Sequence, residues 1–104
     1  MFEEEQIMQN FETDFEEFCK SPGVDSGKAR SYAKAIRYLC DYMEIYEMNE
    51  ETVSKIKSVE DSIKDKNSIF YQGLLKFLEG RRQKSYLEKG FISAALNYLF
   101  LYNK

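Results

Sequence analysis

The amino-acid sequence predicts an all-α fold, a compact orthogonal bundle of about five helices in one domain over residues 1–104. Three observations carry that expectation. Apolar residues recur at spacings of three and four through most of the chain, the period of a helix with one buried face. No segment sustains the alternation of a half-buried strand. The last stretch, Phe91 to Tyr102, is apolar almost all the way round, broken only by Ser93 and Asn97. A helix of that kind belongs at the centre of a bundle, and it is shorter than the roughly 20 apolar residues that cross a bilayer.

The first helix is expected from Phe2 to about Cys19. Ile7, Met8, Phe11, Phe15 and Phe18 form its apolar face, and acidic residues fill most other positions. Lys20-Ser21-Pro22-Gly23 ends it. The second helix starts at Asp25 or Ser26, either of which can cap the first free N–H groups, and runs to about Tyr46. Ala29, Tyr32, Ala33, Ile36, Leu39, Cys40 and Met43 share its buried side. Asn49 caps a third, thinly apolar helix carrying Val53, Ile56, Val59 and Ile63. Ser58-x-x-Asp61 resembles a capping box that would divide this stretch in two. The fourth helix opens at Ser68 with Ile69, Phe70, Leu74, Leu75, Phe77 and Leu78, and Gly80 is placed to end it in a left-handed turn. Ser85-x-x-Glu88 caps a short turn, and Gly90 separates that turn from the final helix. The first, second and fourth helices are expected to surround the last, with the third packed least firmly. One echo links two helices: Ala35-Ile36-Arg37-Tyr38-Leu39 with Tyr42 matches Ala95-Leu96-Asn97-Tyr98-Leu99 with Tyr102. Similar packing roles account for it, with an old duplication as the alternative.

Hydrophobic residues make up 43% and charged residues 32%, a globular balance, and eight Phe with eight Tyr supply one dense core. The net charge of −3 gives no general attraction to nucleic acid or anionic lipid. Met1 leads into Glu3, Glu4 and Glu5 instead of a basic, then apolar, leader. Cys19 and Cys40 fall on apolar faces and read as free buried thiols of a reducing, cytoplasmic environment. The chain has no His, which removes the usual general base, the commonest metal ligand and every Ser-His or Cys-His pair. No Gly-rich phosphate loop or CxxC occurs either. The expectation is therefore a protein that is not an enzyme and takes no metal or cofactor.

Two basic clusters are the candidate chemistry. Lys28, Arg30, Lys34 and Arg37 lie in the second helix with Tyr38 beside them; Arg81, Arg82, Lys84 and Lys89 follow the fourth, with Tyr86 among them. Cations interleaved with tyrosines can contact phosphates and stack on bases. This reading expects Arg37→Glu with Arg82→Glu to abolish DNA binding at nearly unchanged melting temperature. The competing reading is solubilising charge paired with the acidic first helix. A separate candidate is self-association through Phe100, Leu101 and Tyr102, whose apolar surface exceeds what one subunit covers.

Two stretches, GKARSYAKAIRYLCDYMEI at 27–45 and KGFISAALNYLFLY at 89–102, resemble the helical N-terminal modules that precede HNH and restriction-type nuclease domains. Those modules are similar in turn to the SAM-like core-binding domains of tyrosine recombinases. The resemblance covers about two thirds of the chain. It implies a non-catalytic module that positions double-stranded DNA beside a nuclease or recombinase. The chain departs from the pattern in its negative charge and in a final helix without basic residues. A protein-interaction or homodimerising module without nucleic-acid contact is the alternative; no membrane partner is expected.

Overall fold

The computed structural model describes residues 2–104 and is all-helical over them. Five helices carry the architecture: α1 (Phe2–Lys20), α2 (Ser26–Met43), α3 (Glu50–Ser58), α5 (Ile69–Gly80) and α7 (Phe91–Tyr102). Two single turns, α4 (Glu60–Ile63) and α6 (Ser85–Glu88), complete the order. The radius of gyration, 12.9 Å, is that of one core for a chain of this length.

α2 packs against α1, α7 and α5, while α7 packs against α2, α6, α1 and α4. α2 supplies six wholly buried side chains and α7 four, so the two share the centre. The sequence echo lies here. Ala35 and Ala95, Ile36 and Leu96, and Leu39 and Leu99 are all buried, while Tyr38, Tyr98, Tyr42 and Tyr102 are all half-buried. Small Ala residues let two helices approach closely, and the same pattern on each gives the same packing role. The solvent side of α7 is the Asn97 stripe, which Leu101 continues. α5 lies on α2 and α4. α3 buries only Ile56 completely, in keeping with its thin stripe.

The caps explain where the expected boundaries hold and where they move. Asp25, not Ser26, caps α2 by accepting from the Lys28 N–H at 3.0 Å. Asn49 and Thr52 form a reciprocal capping box on α3. Ser68 caps α5 and donates its hydroxyl to the Ser62 carbonyl, joining α4 to α5. α2 stops at Met43, short of Tyr46, because Glu44 turns left-handed at φ 57° and the Ile45 N–H closes on the Cys40 carbonyl. That closure buries Ile45, and a Glu in place of the usual Gly hides it from the sequence.

A second such turn corrects the expected end of the fourth helix. Gly80 stays helical and Arg82 takes the left-handed conformation at φ 61°, with the Gln83 N–H donating to the Leu78 carbonyl. The chain also breaks between α3 and α4, though by another device than the expected box. The Ser58 hydroxyl turns back to the Lys55 carbonyl at 2.6 Å, and Val59 opens α4 with no side-chain cap. Ser85 likewise makes no side-chain cap to α6, whereas Gly90 does turn the chain into α7 at φ 80°.

Both cysteines are free and fully buried. Burial pushes the Cys40 thiol up to about 12 and the Cys19 thiol up to about 11, with Asp41 and Glu16 adding to the effect. Unfolded thiols ionise near 9.0. The stability linked to these groups is therefore complete below about pH 9 and is lost as the pH rises through the folded-state values. Urea unfolding at about pH 8 and about pH 10 should show this loss. The variant with Cys19→Ala and Cys40→Ala should show a smaller drop between the two pH values; an equal drop would contradict the assignment.

Candidate nucleic-acid interface

The basic positions of α2 divide by what α1 places beside them. Glu5 and Glu12 are seven residues apart, two helical turns, and so share one side of α1. That side meets α2 at Arg37. The Arg37 guanidinium donates through one terminal nitrogen to Glu12 at 3.0 Å and through the other to Glu5 at 3.2 Å. The side chain is only 16% exposed, and its Nε is shut from water with no partner. Arg37 thus joins two helices, and the carboxylates of α1 occupy the fork that a phosphate would need.

Arg81 is also engaged. It reaches back to Asp41 on α2 at 2.7 Å and lies over the Phe77 ring at 4.4 Å from the centroid. Its guanidinium remains half-exposed, so the pair is a surface contact worth little in stability. Its geometric effect is larger, because it draws the segment after α5 onto α2. Tyr38 then meets Tyr86 of α6 edge to face, centroids 5.1 Å apart.

The remaining cations are open. Lys28 and Arg30 are exposed in the first turns of α2, and Arg82 and Lys84 are exposed after α5. Lys34 is half-buried in a groove it shares with Glu5, Glu12, Tyr38 and Asp41. Among the described residues, none of these five has a carboxylate within ion-pair distance.

An aromatic row extends the contact between Tyr38 and Tyr86. Tyr86 touches Phe91 at 5.7 Å, Phe91 touches Tyr32 at 6.2 Å, and Tyr32 stacks on Tyr98 at 5.5 Å. All five rings are half-buried, so each keeps some face or edge in water. Burial first, and then Tyr86 and Glu12, push the Tyr38 phenol above its ordinary value. It stays a neutral hydroxyl at physiological pH, suited to donate a hydrogen bond.

Of the three residues assigned to self-association, one is exposed and two are half-buried. Tyr102 packs edge-on against Phe11, Phe15 and Phe18 at 5.1–6.0 Å. Phe100 is half-buried under the Lys57 ammonium, 5.3 Å from the ring centroid. Leu101 is 51% exposed.

The sequence offered pairing with the acidic first helix as the competing reading, but did not say which carboxylates meet Arg37 or that Arg81 meets Asp41. The seven-residue spacing of Glu5 and Glu12 was the available sign of the first, and nothing local signalled the second. Among the described residues no helix is long and apolar enough to cross a membrane. No protein-family model, curated protein or solved structure matches the chain.

Proposed function

We propose that the chain is a non-catalytic module that holds double-stranded DNA, positioning it for a nuclease or recombinase, with Lys28, Arg30, Lys34, Arg82 and Lys84 on phosphates and Tyr38 and Tyr86 between them. The supporting observation is that α2 and the segment after α5 meet at the Tyr38–Tyr86 contact and the Arg81–Asp41 pair, while Lys28, Arg30, Lys34, Arg82 and Lys84 have no ion-pair partner among the described residues. Neighbouring cations with wet tyrosines can neutralise a run of phosphates and lie against the sugar edge. The acidic groups concentrated on α1 cancel Arg37 and lower the field, so affinity rests on local contacts, not on net charge. The resemblance to nuclease-associated modules points the same way. The alternative, a self-association module without nucleic-acid contact, draws on a separate feature, the half-exposed Leu101 of α7.

Arg30→Glu, Arg82→Glu and Lys84→Glu together test the reading. All three side chains are exposed and have no ion-pair partner among the described residues, so the thermal midpoint should stay nearly constant. Affinity for a short duplex should fall more than about tenfold, and the log–log salt slope should shrink by about three. Unchanged affinity and slope would refute the assignment.

A further inference from the structure

The C-terminal end of α7 carries a surface separate from the basic one. Leu101 stands on a ridge between two shallow grooves. One is lined by Ile7, Met48, Tyr102 and Asp14, at the seam of α1 and α7. The other is lined by Phe100, Leu101, Lys57 and Lys104, at the seam of α3 and α7. Ile7 and Leu101 are both exposed large apolar side chains. The flanks carry opposite charge: Lys57 and Lys104 border one groove and Asp14 the other, and none of the three has an ion-pair partner among the described residues.

We propose that a second copy of this chain docks on this face through a two-fold contact, the Leu101 ridge of each copy seated in the Ile7–Met48 groove of the other. A surface that carries exposed Ile7 and Leu101 between a cationic border and an anionic one is complementary to itself under a two-fold rotation. Such a rotation makes residue i meet j while j meets i. It sets Lys57 and Lys104 of one copy against Asp14 of the other, twice, and covers both ridges. The same surfaces joined head to tail would leave one ridge and one groove open at each end and would continue into a chain of copies. The two-fold arrangement closes. The contact is independent of DNA and leaves Arg30, Arg82 and Lys84 outside it.

Sedimentation equilibrium of the full chain without DNA tests the proposal. The mass should rise with concentration from 12.3 kDa to a plateau at twice that value. Leu101→Asp should hold the protein at monomer mass, with its thermal midpoint retained because the side chain is at the surface. Asp14→Lys alone should weaken association, and so should Lys57→Asp with Lys104→Asp. All three changes in one chain should restore the dimer. A wild-type mass that stays monomeric up to about 1 mM, where even weak specific contacts become populated, would overturn the proposal and leave the face to a different partner. Growth beyond two copies, persistence of the dimer in Leu101→Asp, or failure of the combined charge exchange would overturn it too.

Discussion

Phe15→Ala should lower the stability of the fold by about 3–5 kcal/mol, the cost of emptying a fully packed aromatic site. Phe15 has no exposed surface; it stacks on Phe11 at 5.6 Å and receives the edge of Tyr102 at 5.7 Å. It therefore holds α1 to the end of α7. Its surroundings are large rings on two rigid helices, which cannot collapse into the space a methyl group leaves. A domain of this size commonly has only about 5–15 kcal/mol in total, so the thermal midpoint should drop by roughly 15–30 °C. Differential scanning calorimetry checks it. A drop of only a few degrees would mean that α1 is not anchored through this cluster.

Arg37→Glu should also destabilise the protein, by about 2–3 kcal/mol, somewhat below the cost of breaking a fully buried ion pair because Glu5 stays largely in water. The change puts a third carboxylate where the structure holds two, Glu5 and Glu12, about one cation. The expectation from sequence, stated for Arg37→Glu together with Arg82→Glu, was lost DNA binding at a nearly unchanged melting temperature. Arg37→Met separates the contributions. It keeps an apolar stem of similar length at this largely covered position and adds no like charge, so its cost should be smaller, about 1 kcal/mol. Chemical denaturation of both variants provides the measurement. If Arg37→Glu unfolds at the wild-type midpoint, the bridge between α1 and α2 contributes nothing.

The helices were legible because their signals are local. The periodicity of Phe11, Phe15 and Phe18, the cap at Asn49 and the break at Pro22-Gly23 each act within a few residues. The boundaries that moved did so where a tertiary demand overrode the local sign. Ile45 had to be buried, so Glu44 accepted a left-handed turn. The final helix reads as apolar all round, yet α2 shares the centre with it, and Leu101 remains outside. The basic site was half legible. Residue type and spacing found the cations, but their availability depends on which helix faces them. Arg30 and Arg37 look alike on the wheel of α2; one meets water and the other meets Glu5 and Glu12.

The DNA-binding claim is tested most directly by titrating a fluorescently labelled duplex with the wild-type chain at two salt concentrations and following anisotropy. Binding at low salt that weakens steeply as salt rises, with a log–log slope of about −3 to −5 from Lys28, Arg30, Lys34, Arg82 and Lys84, is the expected result. No change in anisotropy at low salt, or binding indifferent to salt, would contradict it.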